Sequence, residues 1–328
     1  MCAGQRRKST VRSGFVPVLF IVGAVCQYGG AALAIPLFAN WDPVSVAWLR
    51  CLAAGVVLVT ALRPRGVDRS RLLRATIFGL TTLAMNGAFY LAIDRIPLGV
   101  AVAVEFVGPV AVAILGSRRL ADVAAAVTVL VGVVLVSGAS LSGEWVGVVW
   151  ALAAAAMWAG YVVIGKRISD RSASGADTDA DRPRPWRRGV EDLGIGLTVA
   201  SLLLIPLIVV LRVVDVQSVS RTGGGPVAWW HLVALGIAVG VLSSAVPYVL
   251  DQVSLLFLGR ARFALLLALL PVTAALVGAV TLGQLGDLRE WLGIVMVCAA
   301  IALTALNDAR RSPARKYPPG DGIADPPA

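Results

Sequence analysis

The sequence holds a single histidine, His231, and four cysteines, Cys2, Cys26, Cys51 and Cys298. No cysteine has C-x-x-C or Cys/His spacing, which argues against a metal site or a disulfide framework. His231 follows Trp229 and Trp230, an aromatic cluster suited to a membrane–water interface rather than to catalysis. There is no G-x-x-x-x-G-K-[ST], so this chain alone has no phosphate loop for ATP-driven work. H-E-x-x-H and G-x-S-x-G are missing too, which leaves an enzyme reading without its machinery. Charge is equally scarce: 15% of the 328 residues are charged and 58% are hydrophobic, with a mean hydropathy of +0.83. A soluble fold cannot cover itself with so little polar material, and the long apolar runs point to a bilayer as solvent. The net charge of +10 sits in short pieces between those runs, as in membrane-protein loops, and argues against a nucleic-acid partner.

What is present is a series of apolar stretches of helical length. Their predicted limits are 16–38, 43–62, 72–93, 97–116, 120–138, 145–164, 193–213, 230–250, 261–282 and 289–306. Each is close to the ~20 residues that carry a helix across ~30 Å of hydrocarbon. The basic start (Arg6, Arg7, Lys8) imitates a signal peptide, but the apolar run continues to about residue 39 and reads as a first span. Lysine and arginine placement tests the count. With the N-terminus inside, 24 of the 29 basic residues fall on the inner side; Arg95, Arg212, Arg221 and Arg289 fall outside, and Arg50 lies within the second span. That asymmetry predicts ten crossings with both termini cytoplasmic, in a cell inner membrane. The expected organisation is a cytoplasmic segment 1–15, a first five-helix unit 16–138, a second 139–306, and a cytoplasmic tail 307–328. The Ser/Asp/Arg/Pro-rich loop at about 165–192 reads as a mobile insert rather than a domain.

The two halves echo one another. Ala88-Phe-Tyr-Leu resembles Val246-Pro-Tyr-Val, and the following stretch contains Gly108-Pro109 in one half and Leu270-Pro271 in the other. Five crossings per half would send the second half in from the opposite side. The fold class expected is therefore all-α, ten transmembrane helices as two inverted five-helix repeats, a plan suited to alternating access. Ile96-Pro-Leu-Gly-Val-Ala-Val-Ala-Val-Glu-Phe-Val-Gly-Pro-Val-Ala-Val-Ala-Ile-Leu-Gly-Ser-Arg-Arg119 and Val241-Leu-Ser-Ser-Ala-Val-Pro-Tyr-Val-Leu-Asp251 resemble segments of the EamA branch of the drug/metabolite transporter superfamily, in particular bacterial threonine/homoserine exporters. The resemblance implies a proton-driven inner-membrane exporter of small amino acids, without a cofactor. Its partners would be a small-molecule substrate, protons and membrane lipids. Many relatives carry an acid before the ninth-helix proline and Gly-Glu at that helix's end; this chain has Leu270-Pro271 and Gly283-Gln284. An EamA-type carrier of another metabolite or of a cationic drug, or a lipid flippase, is the alternative.

Glu105 stands out as a carboxylate eight residues into an apolar stretch. An acid near a helix centre costs on the order of 2.5–3.5 kcal/mol on insertion scales, so it must face the interior, meet a cation, or be protonated part of the time. It is the expected proton-coupling group; a permanent structural ion pair is the competing reading. Arg50 is expected to contact a substrate carboxylate, to pair with Glu105, or to snorkel outward. Gln27, Tyr28, Asn86, Tyr90, Tyr161, Ser243, Ser244 and Tyr248 are polar groups at membrane depth that can line a substrate site or bond between helices, and Asn86 and Tyr90 share one helix face. Gly108, Pro109, Pro247 and Pro271 are hinge candidates or static kinks; Pro109 removes the hydrogen bond to the carbonyl of residue 105.

Overall fold

In the computed structural model of the chain, residues 3–39, 41–115, 120–138, 145–173, 185–218 and 229–311 are described, and the regular structure among them is helical. Helix α1 (Ala3–Ala34) ends in a 3₁₀ turn over Ile35–Ala39, and α2 (Pro43–Leu62) and α3 (Arg69–Ile93) follow. Next come α4 (Leu98–Glu105), α5 (Val107–Leu115), α6 (Leu120–Gly138) and α7 (Trp145–Ala173). The remainder comprises α8 (Pro185–Leu203), α9 (Ile205–Ser218), α10 (Trp229–Gly240), a π-helical turn (Val241–Ala245), α11 (Val246–Leu267), α12 (Leu270–Leu282) and α13 (Leu288–Arg311).

Among the described residues, seven stretches are long and apolar enough to cross a membrane: Val16–Ala39, Pro43–Leu62, Arg69–Ile93, Trp145–Val163, Val233–Asp251, Leu265–Leu282 and Leu288–Leu306. Arg187–Leu203 and Ile205–Leu211, bent by 49° between them, make an eighth if taken as one span. The bend has a local cause, because Pro206 cannot donate to the Leu202 carbonyl. Leu98–Val112 and Val123–Val136 are apolar but shorter. At ~1.5 Å per residue such helices fall short of ~30 Å of hydrocarbon. The protein is thus a multi-pass helical membrane protein with seven or eight helices of spanning length among the described residues, where the apolar pattern predicts ten.

Other boundaries differ from the sequence pattern in instructive ways. Helix α1 starts at Ala3, inside the segment expected to precede the first span. Helix α7 runs on to Ala173 and α8 begins at Pro185, so the predicted loop is helical at both ends; 174–184, like 312–328 of the tail, lies outside the described residues. Helix α11 continues through the polar break expected after residue 250. Gln252–Arg262 holds one glycine and no proline, and its leucines and arginines are good helix formers. Sequence signals set other ends well. Asp42 caps α2 by accepting the Ser45 N–H (2.8 Å), with Pro43 in the first turn, and Asp68 caps α3 by accepting from Arg71 N (3.3 Å).

Small residues set how the helices meet. A Cβ on Gly79 would strike the backbone of Gly196, which joins α3 to α8, and Gly99 lies against Ala275 between α4 and α12. Gly132 and Gly293 bring α6 onto α13 in the same way. Without a hydrophobic force between helices in lipid, such backbone approach is what packing relies on. Principal pairings are α2 with α8, α3 with α7 and α8, α1 with α11, α4 with α12, and α6 with α13. Large side chains left on the surface, such as Leu130, Val134, Leu203 and Val280, are apolar, as a lipid-facing surface needs. Cys26, Cys51 and Cys298 are free thiols, and His231 stacks on Trp230 at 3.4 Å with both residues exposed.

Charged contacts close one end of the bundle. Arg71 at the start of α3 reaches Glu191 (2.9 Å) and Asp192 (2.6 Å) on α8, while Arg187 pairs with Glu191 (3.1 Å) and donates to the Leu62 carbonyl (2.8 Å). At the other end, Leu98 N donates to Gln284 Oε1 (3.0 Å), joining the start of α4 to the segment that follows α12. Glu191 is only 3% exposed. Arg71→Ala leaves it beside Asp192 with Arg187 as its remaining partner. Because Arg187 still compensates Glu191, the expected loss is about 2 kcal/mol, that of the charge-assisted hydrogen bonds Arg71 makes. Thermal unfolding of the detergent-solubilised variant should show it as a lowered Tm. An unchanged Tm would mean the cluster does not hold this end together.

Candidate functional site

One cavity gathers polar groups from five helices. Gln27, Tyr28 and Ala31 come from α1, Arg50 from α2, Met85, Asn86 and Phe89 from α3, Glu105 from α4 and Tyr248 from α11. It encloses about 390 Å³ of empty space, its mouth included. Five of its polar lining residues sit on the first-half helices, and Tyr248 brings in the second half.

Glu105 is the last residue of α4, directly before the break at Phe106. Pro109 explains the break: it cannot donate to the Glu105 carbonyl. Gly108, one residue earlier, lies so close to the Ala155 carbonyl of α7 that a Cβ there would collide with backbone. Across the gap, Val110 N reaches the Phe106 carbonyl at 3.3 Å. The side chain of Glu105 therefore hangs at a helix C-terminus, where backbone carbonyls favour a cation. A second break ahead of a proline lies at Ala268–Leu269, with Pro271 buried at the second residue of α12. There the backbone tightens to Ala268 N→Leu265 O (3.2 Å) and Leu269 N→Leu266 O (3.0 Å).

Arg50 is 4% exposed and fully engaged on one edge. Its Nε donates to Ser244 Oγ (2.7 Å) and one Nη donates to the Ser243 carbonyl (2.8 Å). The guanidinium carbon lies 5.3 Å from the Tyr90 ring centroid, within cation–π range. Among the described residues, no ion pair includes either Arg50 or Glu105. The two opposite charges line one cavity and remain separate.

The other expected site residues divide into two groups. Gln27, Tyr28, Asn86 and Tyr248 line the cavity. The Asn86 amide nitrogen donates to the Thr82 carbonyl (2.8 Å), so its oxygen is the end left for the cavity. Tyr90, Ser243 and Ser244 surround Arg50 and are not among the lining groups; Ser243 also donates its hydroxyl to the Val239 carbonyl (2.8 Å). Tyr161 stacks on Phe78 (4.5 Å, 23°) outside the lining set, and Pro247 is buried at the start of α11. The apolar walls Ala31, Met85 and Phe89 were not foreseen. Their only trace in the sequence is a position three or four residues from Tyr28, Asn86 or each other. Among the described residues, no group of three or more His, Cys, Asp or Glu side chains is placed to hold a metal.

No family model matches the chain. Among curated proteins, the threonine/homoserine exporter RhtA of Salmonella typhimurium (strain SL1344) is 31% identical over 306 residues, covering 91% of this chain and 92% of that protein. RhtA of Escherichia coli (strain K12) is 30% identical over 316 residues, 94% of this chain and 97% of that protein. The uncharacterized transporter YxxF of Bacillus subtilis (strain 168) is 26% identical over 237 residues, 69% of this chain and 67% of that protein. A solved crystal structure superposes with a TM-score of 0.52 at 21% identity over 89% of this chain and 98% of that one, a likeness of fold. On its 30–31% identity to these exporters across more than nine-tenths of its length, the chain belongs to the threonine/homoserine exporter family in the EamA branch of the drug/metabolite transporter superfamily.

Proposed function

We propose that this protein is a secondary-active inner-membrane exporter of small amino acids of the threonine/homoserine type, working by proton antiport. The observation that carries the reading is the pair of unpaired opposite charges, Arg50 and Glu105, lining one cavity. A zwitterion brings a carboxylate to the guanidinium and an ammonium to the carboxylate. Removal of the ammonium leaves Glu105 to take a proton, which is the exchange that antiport requires. Gln27, Asn86 and Tyr248 supply neutral polar contacts for a short hydroxylated side chain, and Met85 and Phe89 supply apolar wall.

The same reading includes ten crossings arranged as two inverted repeats, with both termini cytoplasmic and alternating access between the halves. Support comes from the pairing of the helices. If α1, α2, α3, α4–α5 and α6 correspond to α7, α8, α10–α11, α12 and α13, a two-fold axis requires each contact to have an image. The α3–α7 contact has its image in α11–α1, while α2–α8, α4–α12 and α6–α13 map onto themselves. The break at Phe106 lies within the apolar stretch Leu98–Val112 and that at Ala268–Leu269 within Leu265–Leu282, each three residues ahead of a proline, Pro109 or Pro271, counting from Phe106 and Ala268.

The test is counterflow and pH-gradient-driven efflux in proteoliposomes with radiolabelled threonine and homoserine. Both should move at least tenfold faster than in protein-free vesicles, and dissipating the gradient should remove the net flux. If neither moves while an organic cation does, the amino-acid reading falls and the cation-carrier alternative takes its place.

A further inference from the structure

The cavity contains a carboxylate, yet Arg50 turns to a hydroxyl and a carbonyl. The backbone explains why those acceptors are available. Helix α10 passes into a π-helical turn at Val241–Ala245, where Val246 N bonds to the Val241 carbonyl, one residue further back than in an α-helix. The next residue is Pro247, which has no N–H. In a continuous α-helix residue 247 would donate to the carbonyl of Ser243; here that carbonyl is left for Arg50 Nη at 2.8 Å. The adjoining Ser244 hydroxyl accepts from Nε at 2.7 Å, so the two acceptors match one edge of the guanidinium fork.

The surroundings leave this turn little room to shift. A Cβ on Gly30 of α1 would lie 2.5 Å from Ser243 Cβ and 2.9 Å from Ser243 N, and one on Gly240 would lie 2.6 Å from the Arg50 carbonyl oxygen. Tyr90 lies against the guanidinium from a third helix. Once Nε and one Nη proton are engaged, the remaining Nη protons can address the cavity.

We propose that the π-helical turn and Pro247 form a fixed cradle for the Arg50 guanidinium, with Ser244 as its positioning residue, and that the cradle keeps Arg50 from pairing with Glu105 and so presents it to a substrate carboxylate. Pro247 then acts by leaving a carbonyl open rather than by flexing. The substrate part of this inference rests on the amino-acid reading above; the cradle itself does not.

Two measurements on the full-length protein test it. In proteoliposomes, Ser244→Ala should raise KM for threonine roughly tenfold with Vmax within about twofold, the effect of one lost hydrogen bond to a charged group. Ser244→Thr, which keeps the hydroxyl, should restore KM. Pro247→Ala supplies an N–H that competes for the Ser243 carbonyl and should raise KM in the same direction, whereas a hinge would move Vmax. The second measurement needs no substrate. In ¹⁵N-arginine-labelled protein, the Arg50 Nε–H resonance is assigned by its loss in Arg50→Lys. Its solvent exchange should be at least tenfold faster in Ser244→Ala than in wild type, and near wild type in Ser244→Thr. Unchanged KM and unchanged exchange in Ser244→Ala, or a Thr variant as impaired as Ala, overturns the cradle. If Ser244→Ala does not fold, KM against Vmax in Pro247→Ala decides. Wild-type protein that moves no threonine overturns the amino-acid reading, while the exchange measurement still decides on the cradle.

Discussion

Glu105→Gln is expected to reduce pH-gradient-driven export to about a hundredth of wild type or less while leaving abundance in the membrane nearly unchanged. The substitution keeps the shape and removes the ability to alternate between charged and neutral forms. Among the described residues Glu105 has no ion-pair partner, so its loss leaves no buried cation behind. Removing a charge from membrane depth eases insertion, if anything, on the scale of the 2.5–3.5 kcal/mol that an acid costs there. Efflux from vesicles with an imposed gradient, normalised to immunoblotted protein, is the measurement. Normal gradient-driven efflux by the variant would refute the coupling role. Counterflow at equal pH on both faces then separates the two tasks of the carboxylate. Survival with an unchanged KM assigns it to the proton alone, and a raised KM assigns it to the substrate ammonium as well.

Arg50→Ala should be as damaging to transport and worse for folding. It leaves the Ser243 carbonyl and Ser244 hydroxyl without their charged donor at a buried site. Each such group costs about 1–3 kcal/mol when stranded, so the variant should melt at a clearly lower temperature. Threonine Vmax/KM should fall at least about a hundredfold, because the carboxylate of the substrate loses its fork. Arg50→Lys retains the charge without the bidentate edge and should recover only part of the loss, mainly in stability. A cationic-drug carrier behaves differently: it has no use for Arg50, and its flux per folded molecule would be unaffected by either substitution. Flux normalised to folded protein therefore discriminates between the two substrate classes.

Much of this was legible in one dimension, and the part that was not has a common cause. Membrane class follows from the lengths of the apolar runs, and Glu105 draws notice because a carboxylate at that depth is expensive. Asn86 is placed by its helical phase. The partners of Arg50 lie 193 and 194 residues away in sequence, and no local pattern foretells that a guanidinium meets the π-helical turn rather than Glu105. Ser243 and Ser244 look like lining groups when read as polar residues at membrane depth; only packing shows that they face Arg50. The Arg71 cluster escaped for the same reason, since its residues read as loop charges on two separate segments. Two of the apolar stretches were legible as helices but not as short ones, because Pro109 splits 98–115 and composition alone does not report where a span ends. The bend before Pro206 was readable in principle, from a proline inside an apolar run.

The two ends of the bundle are fastened by different chemistry. Opening one end has to separate Arg71 from two carboxylates and Arg187 from a carboxylate and a backbone carbonyl; the contacts of the other end include Leu98 on a neutral amide. Ionic strength reaches the more exposed members of the charged cluster, Arg187 and Asp192, and screens the buried Glu191 little. In the proposed cycle, exposure to that face has to break a cluster that salt alone does not loosen, so a transporter at rest would dwell with its charged door shut.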